Sequence, residues 1–134
     1  MTGPFVFSHA VDVRYGECDQ QGVVFNANHL AYVDDALDHW MRAVGELSWS
    51  SDVMVKHSEL TWHSPASWPE RVEIDCGVCR WGTTSFDVVF RLRVGDRRVS
   101  DVVTTYVWVP MSGGGPAEIP APVRRALGAL VERP

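Results

Sequence analysis

Residues 14–42 read RYGECDQQGVVFNANHLAYVDDALDHWMR, and this stretch decides the fold. In its second half and just beyond, Leu30, Val33, Leu37, Trp40, Met41 and Val44 recur at steps of three and four, while Asp34, Asp35, Asp38 and Arg42 fall on the other side. Such spacing is the apolar stripe of an amphipathic helix. Asn26 or Asn28 is placed to cap its start and Gly45 to end it. The first half, Gly16 to Ala27, is rich in turn formers and reads as a loop.

Working outward, Val11, Val13 and Tyr15 alternate with Ala10, Asp12 and Arg14, which predicts a strand over Val6 to Tyr15. From Asp52 onward the period becomes two. Pro65 and Pro69 separate one strand from the next, in which Val72, Ile74, Cys76 and Val78 alternate with Arg71, Glu73, Asp75 and Gly77. Trp81-Gly82 turns the chain into Phe86, Val88, Phe90, Leu92 and Val94, and Gly95-Asp96 is a second tight turn. Val99 to Val109 is apolar on both parities, which predicts a strand covered on both faces. After Gly113-Gly114-Gly115-Pro116 comes a weak helix, Pro122 to Glu132. The order predicts one α+β domain spanning residues 1–134, a five-stranded antiparallel sheet wrapped around a long central helix. One helix cannot cover that whole face, and open sheet edges invite pairing, so a homodimer or homotetramer is expected.

The 134 residues suffice for one core, and 46% hydrophobic with 22% charged residues is an ordinary globular balance. No run approaches the ~20 apolar residues of a membrane span, and the first residues lack the pattern of a leader, so a cytoplasmic location is expected. Cys18, Cys76 and Cys79 are an odd number without a disulfide pattern and read as reduced thiols. A net charge of -5 argues against nucleic-acid binding, although eleven arginines against one lysine leave room for a local phosphate clamp.

The chemistry concentrates where loop meets helix. Asp19 stands three residues before Gly22, and Val23-Val24-Phe25 leads to Asn26 at the helix entrance. A helix start offers unpaired N–H groups and partial positive charge, which stabilise an oxyanion, and a glycine permits positive φ or close approach of a ligand. A carboxylate beside an oxyanion hole is an acyl-transfer arrangement.

These residues resemble the active-site motif of the 4-hydroxybenzoyl-CoA thioesterase family of hotdog-fold proteins: aspartate, two variable residues, glycine, two aliphatics, an aromatic, and a polar or aromatic residue. Tyr32 falls where that family has an aromatic early in the helix. Ser64-Pro65-Ala66 with Pro69-Glu70 resembles its proline-alanine motif, and Thr84-Ser85-Phe86 its serine-aromatic pair. The resemblance implies hydrolysis of an acyl thioester of coenzyme A or of a carrier protein. Asp19 would attack the carbonyl or activate a water, and Asn26 would polarise the carbonyl oxygen through its backbone N–H, assisted by its side chain. Gly22, Val23, Val24, Phe25, Tyr32 and Ser85 would contact substrate, and no metal or organic cofactor is implied. Asparagine at position 26 departs from the histidine or tyrosine common in the family and cannot titrate.

Other readings compete. Glu17 is read as a solvated loop carboxylate, or as a like charge acting on Asp19. Cys18 is read as structural rather than nucleophilic. Cys76 and Cys79, three apart on a strand, face opposite ways, and His57 and His63 lie about 20 Å apart at strand rise, so neither pair holds a metal. Asp34, Asp35 and Asp38 read as the solvated helix face, with Asp34 or Asp35 an alternative carboxylate. Trp62, Trp68 and Trp81 are candidates to line an acyl pocket. A dehydratase lacks its histidine motif at His29 and His39. A noncatalytic acyl-thioester binding protein would have no need of Asp19.

Overall fold

The structure, a computed structural model, describes residues 2–46 and 48–134. Its strands are β1 (Phe7–Asp12), β2 (Val53–Trp62), β3 (Arg71–Trp81), β4 (Ser85–Val94) and β5 (Arg97–Trp108), and its helices are α1 (Asn28–Val44) and α2 (Ala121–Leu127). The strands form one sheet in the order β1-β3-β4-β5-β2, every pair antiparallel. β1 and β2, which flank α1 in sequence, therefore stand at opposite edges. This is the expected hotdog arrangement, in which the helix lies across the sheet it joins.

Alternation places Val72, Ile74, Cys76 and Val78 of β3 and Phe86, Val88, Phe90 and Leu92 of β4 in the core with Val33, Ala36, Leu37, Trp40 and Met41 of α1. The other face of the sheet carries a small second cluster, Val89 and Val103 beneath Val131 of the tail, with Phe5 and Cys79 against it. Gly77 lets the tail lie that close: a Cβ there would stand 2.4 Å from Val131 Cγ1. Cys76 and Cys79 thus do face opposite ways, with a register shift between Val78 and Arg80. Gly95 adopts φ +59° in the β4–β5 turn. No helix among the described residues is long and apolar enough to cross a membrane.

Four expectations are corrected. β1 ends at Asp12 rather than Tyr15, because Tyr15–Glu17 coils into a 3-10 turn whose start is tied by the Glu17 carboxylate to the Arg14 N–H at 2.9 Å. The buried stripe of α1 is rotated toward His29, Tyr32 and Ala36, leaving Leu30 and Val44 at its margins and exposed. No side chain caps α1: Asn28 Nδ2 instead donates to the Glu17 carbonyl at 2.9 Å, and the Asn26 carbonyl accepts the His29 N–H. α2 stops at Leu127 because Gly128 takes φ +86°, after which Val131 donates its N–H to the Val78 carbonyl.

Trp40 is the largest fully buried side chain and is wholly enclosed between helix and sheet. Trp40→Ala should lower the unfolding free energy by about 3–5 kcal/mol, read from urea unfolding monitored by circular dichroism.

Candidate active site

The loop between β1 and α1 is built around Glu17. Its carboxylate accepts the Arg14 N–H, the Arg14 guanidinium at 3.0 Å and the Tyr32 hydroxyl at 3.0 Å. Its own carbonyl accepts the Phe25 N–H at 2.9 Å as well as Asn28 Nδ2. Burial pushes the Glu17 carboxyl upward, but the bonds from Arg14 and Tyr32 outweigh burial and hold it below the usual range. The Tyr32 hydroxyl, buried and bonded to that carboxylate, is pushed well above an ordinary phenol. Glu17 is therefore the paired anchor of the loop, not a solvated carboxylate.

Asp19 sits at the tip. Its Oδ1 accepts the Gln21 N–H at 2.8 Å, its N–H bonds the Val23 carbonyl at 2.9 Å, and its carbonyl accepts the Gly22 N–H at 3.0 Å. Gly22 closes this turn at φ +78°, a conformation that side chains disfavour. The carboxylate is exposed, and its Oδ2 makes no hydrogen bond among the described residues. A second anchor lies below the turn: buried Ala66 accepts the Val24 N–H at 2.7 Å, and Glu70 accepts the Val13 N–H.

From Val24 to Leu30 the backbone N–H groups are spent in order on Ala66, Glu17, Phe25, Asn26 and Ala27, which accounts for Val24, Phe25, Asn28, His29 and Leu30. The N–H groups of Asn26 and Ala27 have no acceptor among the described residues. They stand at the start of a 17-residue helix, where unpaired amides carry partial positive charge. A pocket of about 300 Å³ opens beside them, lined by Val23, Val24, Asn26, His29, Trp62 and His63 among others.

Residues 13–127 match the model of a family described as the thioesterase-like superfamily. The chain belongs to that superfamily. Solved structures of the same shape include a thioesterase from Thermus thermophilus complexed with coenzyme A and zinc, at 22% identity and TM-score 0.84 over 92% of each chain. A 1,4-dihydroxy-2-naphthoyl-CoA thioesterase from Synechocystis is 17% identical, with TM-score 0.79 over 93% of this chain and 96% of that one. A gentisyl-coenzyme A thioesterase is 19% identical, with TM-score 0.77 over 90% and 98%. No curated protein matches the sequence significantly.

Within this thioesterase-like chain the predicted site residues divide. Asp19 and Gly22 form the turn, and Val23 and Asn26 line the pocket. Val24 reaches the pocket wall but its side chain is 2% exposed, whereas Phe25 projects into solvent at 53%. Tyr32 lies in the core and braces Glu17. Ser85 lies on the outer face of the sheet, where it accepts Arg80 Nη2 at 3.0 Å beside Asp87; strand alternation turns it away from Phe86 and the helix side. Of the three tryptophans, Trp62 alone lines the pocket, while Trp68 meets Tyr15 edge-on and Trp81 packs on Phe86. The helix carboxylates are less free than their alternation suggests: Asp35 pairs with His9, Asp38 with Arg42, and burial pushes the Asp34 carboxyl upward.

Motif reading misses His29, although it shares the stripe of Val33 and Ala36. It is buried, its Nδ1 lies 2.9 Å from Ser100 Oγ, and its ring meets Trp62 edge-on. Burial holds its imidazole below the ordinary histidine value, so it is neutral at pH 7. Beyond it, His63 Nε2 bonds Asp101 at 2.9 Å. Burial raises the Asp101 carboxyl, but His63, Arg91 and Arg98 outweigh burial and hold it low.

Tyr32→Phe should cost about 1–3 kcal/mol in urea unfolding and release the loop to proteolysis. A buried neutral histidine takes up its proton more readily when unfolded, so stability is complete above about pH 6.5 and falls as pH drops below it. His29→Asn should flatten that fall in melts compared between pH 7.5 and 5.

Proposed function

We propose that this chain is an acyl-CoA thioesterase that converts an acyl-CoA and water to the free acid and coenzyme A, with Asp19 as nucleophile or general base. The carrying observation is that the exposed Asp19 carboxylate stands on a tied turn of the same loop that ends in the N–H groups of Asn26 and Ala27, which have no acceptor among the described residues. The thioester carbonyl would point its oxygen at those amides, which stabilise the negative charge as the carbonyl becomes tetrahedral. Asp19 would add to the carbonyl carbon, or take a proton from the water that does, and coenzyme A would leave as the thiol. Gly22 allows the carbonyl to approach, Val23 and the pocket walls take part of the acyl group, and the Asn26 side chain adds a donor.

Membership of the thioesterase-like superfamily supports hydrolysis as the reaction. A second hollow of about 340 Å³ shares His63 with the pocket, but its Arg91 and Arg98 are paired with Asp101 and its Arg133 with Glu59, so the preference for a coenzyme A ester over a carrier-bound chain rests on the resemblance of the Asp19 motif and not on free cations. We place the protein in a reducing compartment, the cytoplasm, consistent with its three free cysteines. The assembly we favour is a homodimer joined at the β2 edge, or a tetramer built on it. Met54, Val55 and Trp62 on that strand are 60%, 55% and 49% exposed, and its outer backbone edge pairs with no strand of the described chain.

The test is thiol release from a panel of aromatic and aliphatic acyl-CoAs. Wild type should turn over at least one of them, and Asp19→Asn and Asp19→Ala should each lose ~100-fold or more in kcat while remaining folded. Variants equal to wild type would remove Asp19 from the chemistry. Turnover confined to acyl-carrier-protein substrates would move the reading to chain release, and binding without turnover on either panel would make the chain a noncatalytic binding protein.

A further inference from the structure

We propose that His9, Asp35 and His39 form a binding site for a divalent transition-metal ion, zinc foremost, that ties β1 to α1. The three residues come from two elements: His9 from the edge strand β1, and Asp35 and His39 from one face of α1, four residues apart. His9 Nε2 stands 2.8 Å from Asp35 Oδ2, and His39 Nδ1 stands 3.4 Å from Asp35 Oδ1. All three donor atoms lie within 4.8 Å of one another. A tetrahedral zinc ion, with bonds of about 2.0–2.2 Å, holds its donors roughly 3.3 Å apart. Closing the group on an ion therefore asks for small side-chain movements. His9 is largely sheltered, while Asp35 and His39 are half exposed.

The arrangement brings two imidazoles from two different elements onto one carboxylate. The two imidazoles stack with centroids 4.0 Å apart and planes 20° from parallel. An imidazole nitrogen is the commonest metal ligand among side chains, and two of them converge here on one carboxylate. Arg14, a nearby cation, is held by Glu17 and does not fill the place. For coordination the His39 ring must release its contact with the Asp35 carbonyl, 2.9 Å away. Two imidazoles and a carboxylate suit zinc, nickel or copper better than magnesium or calcium. Three protein donors leave a position for water.

Position gives the site its consequence. β1 and α1 are the two elements between which the Asp19 loop is strung, so an ion joining residue 9 to residues 35 and 39 fastens both ends of that loop. The inference stands independently of the thioesterase reading, because none of its donors belongs to the Asp19 turn.

The test is calorimetric titration of zinc chloride into the chelator-treated full-length protein, with thermal melts in parallel. Zinc should bind one ion per chain and raise Tm by several degrees. His9→Ala and His39→Ala should each weaken binding by roughly tenfold or more with unchanged circular dichroism, whereas His57→Ala on β2 should leave it unaltered. Zinc that fails to bind below ~100 µM, or binding that survives the loss of either imidazole, as it would if Cys18 or Cys79 held the ion, overturns the assignment.

Discussion

The whole arrangement hangs on one paired carboxylate just past the end of β1. Glu17 gathers the Arg14 backbone and guanidinium, the Tyr32 hydroxyl, the Phe25 N–H and the Asn28 amide through its side chain and carbonyl. Those bonds turn the end of β1, bring the chain back across the first turn of α1, and fix the tip that bears Asp19. They also use up the amides on either side of the helix entrance. Among the described residues the N–H groups of Asn26 and Ala27 remain without an acceptor, left so by the same loop that carries Asp19. A half-buried ionised group such as Glu17 is tolerable here because each of its oxygens is paired.

Two carboxylates along this short stretch stand in opposite environments. Glu17 is sheltered and paired, and Asp19, two residues later, is exposed with one oxygen committed to its turn. The proline-alanine segment supports the arrangement from below, since Ala66 is small enough to be buried while its carbonyl receives Val24, and Glu70 is pinned by Arg97 at 2.5 Å. On the far side of the pocket, neutral His29 under Trp62 supplies a wall without adding charge near the carboxylate.

The parts legible in the sequence are those that depend on neighbours in the chain. The three- and four-residue rhythm from Val33 to Met41, the two-residue rhythm of β3 and β4, and the glycine three positions after Asp19 are all local signals. The orientation of Ser85 is also decided locally, since it alternates with Phe86 and so must face outward if Phe86 faces the helix. Glu17 is hidden from such reading because its partner Tyr32 is 15 residues away, and His29 because Ser100 is 71 residues away. His9 and His39 become neighbours only once β1 and α1 pack together. Such pairings are set by tertiary contact, and no periodicity announces them.

The most direct test of the central claim is an amide chemical-shift titration with a nonhydrolysable acyl-CoA analogue whose thioester is replaced by a ketone. The account predicts the largest shifts at the backbone N–H groups of Asn26 and Ala27, with smaller ones from Asp19 to Val23. Saturable binding that leaves those two amides unmoved while shifting others would contradict it.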